Sequence, residues 1–214
     1  VLIHSQQINL QHLGHRQLDQ EKPLLHTSYI GDSGYMTSGK AKDPNLILNR
    51  KEGSELKMLY QSPEQQKALT SLPSISSLTS YVYFQIGPQG DSPTLAIENK
   101  HEVKHNDIIV VASDGLFDNM DGRQIGGIIL PVLEKSDDID DVASVAEMIA
   151  KQAFKFSLNR IVKDIIFIDR LYPSPFSKKA KEVMARYNGG KSDDITVAVG
   201  QVKIVVQASS ENQS

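Results

Sequence analysis

Ile108-Ile109-Val110-Val111-Ala112-Ser113-Asp114-Gly115-Leu116-Phe117-Asp118-Asn119 is the stretch that decides the fold. Ile108 to Ala112 is a continuous apolar run rich in β-branched residues, the pattern of a strand covered on both faces. His105-Asn106-Asp107 ahead of it reads as a turn. The strand ends abruptly at Ser113-Asp114-Gly115. A carboxylate delivered at the tip of a hydrophobic strand, with glycine straight after, is held rigidly while room is left beside it.

Working outward, Gln124 to Leu130 reads as a short helix interrupted at Pro131. Val142, Val145, Ala146, Ile149, Ala150 and Ala153 follow the i, i+3, i+4, i+7 pattern, predicting an amphipathic helix over about 139–157. Asp137, Asp138, Asp140 and Asp141 precede it. They read as capping and solvation of a helix start rather than a calcium site, because the glycine and terminal glutamate of the calcium loop are absent. Ser174-Pro175 opens another helix running to about Tyr187, stopped by Asn188-Gly189-Gly190. Lys191-Ser192-Asp193-Asp194 then leads into the alternating strand Ile195-Thr196-Val197-Ala198-Val199, continuing towards Val206.

Upstream, Leu24 to Ile30 has strand composition, and Gly31-Asp32-Ser33-Gly34 reads as a hairpin-type reversal before a second strand at Tyr35. Residues 37–57 read as loop-rich. Ser62-Pro63-Glu64 has the signature of a short helix start. Ser71 to Ser80 reads as a connector, and Tyr81 to Ile86 as a strand. The expected organisation is a polar, poorly ordered lead over 1–23, one domain over 24–206 and a polar tail over 207–214. His12 and His15 in the lead share helical i, i+3 spacing, but further ligands and a rigid frame for a metal are missing there.

The 214 residues hold 26 acidic and 23 basic side chains, a formal charge of −3. This near-balance argues against a nucleic-acid or anionic-membrane binder. The chain has no cysteine, so thiolate chemistry and disulfides are excluded. No apolar run approaches the ~20 residues of a membrane span.

Asp32 beside glycines, Asp114 before Gly115, and the pair Asp193-Asp194 before the last strand stand out by context. Hard divalent cations such as magnesium or manganese take oxygen ligands of this kind. Carboxylates gathered at one end of a sheet would supply them, although Asp before Gly is also the commonest of turn signals.

The wording of the motifs goes further. Ala112-Ser113-Asp114-Gly115-Leu116-Phe117-Asp118 closely resembles the D-G-L motif of the metal-dependent serine/threonine phosphatases of type 2C. Gly190-Lys191-Ser192-Asp193-Asp194-Ile195-Thr196-Val197 resembles that family's "G-K-P-D-D-I-T-V", and Gly31-Asp32-Ser33-Gly34 its "G-D-S" turn, in the family's order. Ser174-Pro175-Phe176 and the Ser62–Gln66 stretch look like the organellar branch. The resemblance covers roughly residues 24–203. It implies an α+β fold, two antiparallel β-sheets packed as a sandwich flanked by helices. It also implies hydrolysis of phosphoserine and phosphothreonine in proteins by a metal-activated water, with magnesium or manganese ions. Asp114 and Asp193 match metal ligands, Asp32 an acidic residue at a further metal position, and Asp118 a residue near it. Gly115 and Asp194 match supporting positions, Asp194 orienting its neighbours. The implied partner is a phosphoprotein; monomer is the default expectation, and mitochondrion or plastid is compatible with the branch.

Two departures accompany the resemblance. The family's early D-G-x-(G/A)-G motif and its phosphate-holding basic residue have no counterpart before Gly31, so the chain is expected to be N-terminally incomplete and of little activity alone. The apolar stretch Ile161 to Asp169 replaces a shorter polar connector. An alternative from another class is a catalytically inactive phosphatase-like module that binds phosphoproteins or regulates. A serine-hydrolase reading of Ser33 or Ser113 fails for want of a G-x-S-x-G elbow, and His101 and His105 are expected at the surface.

Overall fold

A computed structural model describes residues 2–5, 23–40, 56–67, 82–83, 91–136, 138–158, 173–182 and 189–204. Its strands are β1 (Leu2–Ser5), β2 (Leu24–Tyr29), β3 (Gly34–Lys40), β4 (Leu56–Gln61), β5 (Gln66–Lys67), β6 (Val82–Tyr83), β7 (Ile97–Glu102), β8 (Ile108–Ala112) and β9 (Val197–Gln201). The helices are α1 (Asp114–Phe117), α2 (Gly122–Leu133), α3 (Val142–Ser157) and α4 (Pro175–Glu182). One antiparallel sheet has the order β1-β2-β7 and a second the order β4-β3-β8-β9, with β5-β6 a separate pair.

Strand β8 lies between β3 and β9, as its apolar run requires. Ile108, Val110 and Ala112 join Met36 of β3 in one buried face against Leu116, Phe117, Ile125, Ile129, Val145 and Ile149 of the helices. Each fully buried aliphatic side chain of this kind contributes roughly 1.5–3 kcal/mol before entropy is counted. On the other side, Tyr29 of β2 and His101 of β7 meet Tyr35 of β3 and Tyr60 of β4, joining the two sheets face to face. The α+β sandwich expected from the sequence is the observed architecture.

Several local expectations are corrected. Gly31–Gly34 is not a hairpin: β2 and β3 belong to different sheets, and the turn is a crossover with Gly31 at φ 86°. Ser62-Pro63-Glu64 starts no helix. Instead Ser62 closes onto Tyr35 through its N–H to the carbonyl (2.9 Å) and its hydroxyl accepting the Tyr35 N–H (2.9 Å). Gln65 does the same to Gly31, so residues 62–65 brace the crossover. Loop was expected over 37–57, yet β3 runs to Lys40 and β4 begins at Leu56.

Pro131 does not interrupt α2. The donor it lacks would have served the Gly127 carbonyl, and Gly127 is exposed to solvent, while Ile125, Ile129 and Leu133 anchor the opposite face. Leu2–Ser5, within the expected disordered lead, pairs as a strand along the open side of β2. His101 is not a surface side chain; it is half-buried, its ring 4.3 Å from that of Tyr60. Helix α3 starts at Val142 with Asp141 as its cap, accepting the Ser144 N–H at 3.0 Å, in line with the capping reading of the acidic run. Asp137, His12, His15, the connector 71–80 and the stretch 161–169 lie outside the described residues.

Candidate active site

Register alone gathers the three motifs. Ala112, the last residue of β8, pairs with Gly34 at the start of β3 and with Val197 at the start of β9. Asp32 therefore precedes β3, Asp114 follows β8, and Asp193-Asp194 precede β9, all at the same end of one sheet. The chain beyond β8 turns straight into α1, whose single turn places Asp114 and Asp118 four residues apart on one side; the Asp118 N–H donates to the Asp114 carbonyl at 2.7 Å.

Close packing fixes this end. A Cβ on Gly115 would lie 2.3 Å from the Asp194 carbonyl oxygen, so only glycine lets the lead-in to β9 cross α1. Ser113 stitches the same crossing: its hydroxyl donates to the Asp194 carbonyl at 2.9 Å and accepts the Thr196 N–H at 3.1 Å. The Asp194 N–H donates to Asp193 Oδ1 at 2.9 Å. Buried Asn119 accepts the Lys191 N–H (2.9 Å) and donates to the Lys191 carbonyl (2.9 Å) and the Gly115 carbonyl (2.8 Å).

This clamp aims one side chain into the centre. Lys191 Nζ lies 2.6 Å from Asp114, 2.8 Å from Asp118 and 2.8 Å from Asp193. Asp118, only 4% exposed, receives a second ammonium from Lys179 at 3.3 Å, and Lys179 also pairs with Glu64. The Phe176 ring stands 5.6 Å from Lys191 Nζ, and the Phe176 N–H caps the Asp118 carbonyl at 3.0 Å.

The electrostatics follow. Burial raises the Asp114 carboxyl above the ordinary carboxylate value; Lys191 pulls it back, and the charges of Asp193 and Asp32 push it up again. The hydrogen bond from Lys191 leads the effects that hold the more exposed Asp193 below that value. Burial opposes the Lys191 charge, but its bonds to Asp114, Asp118 and Asp193 outweigh that and lift the ammonium well above the ordinary lysine range. Lys179 is raised in the same way through Glu64 and Asp118.

Asp114, Asp118 and Asp193 thus converge on one cation, and Asp32, half-buried at the crossover, reaches Asp114 by its charge. As they stand, no three acidic or histidine groups among the described residues share a point where a metal ion could sit. The sequence reading gave no role to Lys191, Lys179 or Asn119. Lys191 and Asn119 lie inside or beside the quoted motifs, and the position of Lys191 two residues before Asp193 was the available signal.

No protein-family model matches the chain. It is 31% identical over 187 residues to a protein phosphatase PTC7 homolog of Xenopus laevis, covering 86% of this chain and 52% of that protein. The PTC7 homolog of Danio rerio is 30% identical over 187 residues, with 86% and 52% covered. The PTC7 homolog fig of Drosophila sechellia is 28% identical over 181 residues, with 84% and 48% covered. Among solved structures, the photosystem II phosphatase PBCP superposes with a TM-score of 0.53 at 22% identity, covering 84% of this chain and 59% of that one.

The chain resembles the type 2C protein phosphatases and shares their fold. Its sequence is like that of the PTC7 homologs and its fold like that of PBCP. The chain spans about half the length of the curated relatives it matches. Among the described residues no helix is long and apolar enough to cross a membrane.

Proposed function

We propose that this chain carries the Asp114, Asp118 and Asp193 side of a metal-dependent protein phosphatase centre acting on phosphoserine and phosphothreonine. The observation that supports it is the convergence of three carboxylates, from α1 and the lead-in to β9, on one positive charge. Two features test the fit of a hard divalent cation. The donors are all carboxylate oxygens, the chemistry magnesium and manganese prefer, and Lys191 already stands among them as a cation. Asp114, Asp118 and Asp193 would hold the ion, with Asp32 contributing negative charge from the crossover. Bound there, the ion would supply a Lewis acid and lower the pKa of a water used in phosphate-ester hydrolysis.

The chain's own residues do the positioning. Gly115 and Ser113 lock α1 to the lead-in of β9, which keeps Asp114 and Asp193 at a fixed separation. Asn119 fixes the backbone that carries Lys191. Lys179, itself paired with Glu64, holds Asp118 from a second side. Substrate is a phosphoprotein, whose dianionic phosphate needs positive charge at the site to offset the carboxylates.

The test is hydrolysis of p-nitrophenyl phosphate and of a phosphothreonine peptide by the 214-residue chain, with manganese or magnesium, beside Asp114→Ala. Turnover by this chain alone is expected to be slight, to need the divalent ion and to be lost in Asp114→Ala. A folded chain that binds the phosphopeptide without hydrolysing it would favour the second reading, a phosphatase-like binding module. Lys191 at the centre of the carboxylates is the observation on that side.

A further inference from the structure

We propose that Lys191 is a resident counter-ion of the carboxylate cluster, which a divalent cation must displace in order to bind. This rests on the reading of Asp114, Asp118 and Asp193 as the metal-holding residues. Three carboxylates within 2.6–2.8 Å of a single nitrogen are the partners an ion of charge +2 would claim, so lysine and metal compete for the same oxygens. Without some cation, three like charges so close together repel, and Asp118 at 4% exposure has little water to screen it. The ammonium therefore holds the site in shape while no metal is bound.

The surroundings suit an exchange in which only the side chain moves. The Lys191 backbone is fixed on both sides by Asn119, at 2.9 Å to its N–H and 2.9 Å to its carbonyl. Its side chain is 26% exposed, so the ammonium has an outlet to water. Phe176 offers a ring face 5.6 Å away. When Lys191 withdraws, Asp118 keeps Lys179 as a partner, which leaves Asp114 and Asp193 as the oxygens most fully released. The lysine set free would then stand beside the ion as a positive group directed towards an incoming phosphate.

The experiment measures manganese binding to the full 214-residue chain by electron paramagnetic resonance of free Mn²⁺, for the unmodified chain, Lys191→Met, Lys191→Gln and Asp114→Asn. Removing the competing ammonium is expected to tighten Mn²⁺ binding on the order of tenfold or more, while Asp114→Asn weakens it. Affinity unchanged or lower in folded Lys191→Met and Lys191→Gln, with Asp114→Asn still weakened, overturns the competition and leaves the metal reading standing. Binding indifferent to Asp114→Asn, or no binding in any of the chains, overturns both together. A second measurement needs no variant. Amine acetylation of the unmodified chain, read by mass spectrometry, is expected to find Lys191 slow alone and several-fold faster with magnesium. A rate that stays the same or falls overturns the displacement.

Discussion

The end of the β4-β3-β8-β9 sheet and the face it turns to the other sheet handle buried polarity in opposite ways. At the sheet end, Asp114, Asp118 and Asp193 are held by the charge of Lys191. Between the sheets, Thr27, Tyr35 and His101 are joined without formal charge: the Thr27 hydroxyl donates to Tyr35 Oη at 2.7 Å, and Tyr35 Oη lies 2.7 Å from His101 Nε2. With Thr27 donating, Tyr35 Oη can donate to Nε2 when that nitrogen carries no proton. Burial lowers the affinity of His101 for a second proton, and it pushes the Tyr29 phenol up to about 12. The charged node has 26% exposure at Lys191, open enough for the cation exchange proposed above, whereas the neutral network is closed around Tyr35 at 0% exposure. On the proposed reading, exchangeable charge belongs to the side that would do chemistry, and neutral hydrogen bonds to the side that holds the sheets together.

The strongest way to break this contrast is Gly115→Val. The new side chain would meet the Asp194 backbone at 2.3 Å, with no flexible group to yield. A loss of about 3 kcal/mol or more is expected in denaturant unfolding, together with detachment of Lys191 from Asp114. An unchanged midpoint would show that the lead-in to β9 can slide past α1.

Asp118→Ala comes next. It strips both Lys191 and Lys179 of a buried carboxylate. Because both lysines are partly in water, a loss of roughly 2–3 kcal/mol is expected rather than the full cost of a broken buried pair. Part of it should disappear at high salt, which screens the repulsion left behind. Tyr35→Phe should cost roughly 1–2 kcal/mol by leaving the buried Thr27 hydroxyl and His101 Nε2 unpaired, and this loss should be nearly independent of salt. Equal salt dependence for the two variants would erase the distinction between the two regions.

The smallest effect concerns pH. His101 binds its proton less readily folded than unfolded, so the unfolded chain holds more protons just below the ordinary value of 6.5. Stability tied to His101 is therefore complete above that value and declines as pH falls below it. His101→Gln should flatten this part of the stability profile. A profile of identical slope in both chains would place the pH dependence elsewhere.

Much of the charged side was legible in the sequence because each motif is local: Asp114 follows a run of apolar residues, and Asp193 precedes an alternating one. The neutral side was not. Tyr29, Tyr35, Tyr60 and His101 lie on four strands of two sheets and carry no shared spacing, and β7, Ile-Glu-Asn-Lys-His-Glu, alternates half-buried and exposed with Ile97 as its one β-branched residue. Gly31–Gly34 misled for a related reason. A glycine-rich turn has the same local chemistry whether it folds a strand back on its neighbour or passes it to another sheet, and the choice is made by β7 and β8, far along the chain. Lys191 was overlooked because a lysine among carboxylates looks like ordinary surface until its backbone is seen to be clamped.

That clamp also sets an order of events. Asn119 and Lys191 are separated by 72 positions, so synthesis delivers Asp114 and Asp118 long before the lysine that neutralises them. Until then the two carboxylates sit on a one-turn helix too short to persist by itself. Contacts of such long range form late and slowly. The centre accordingly closes late, together with the still longer-range pairing of β9 onto β8, and a chain halted before residue 191 would leave the tip beyond β8 open and mutually repelling.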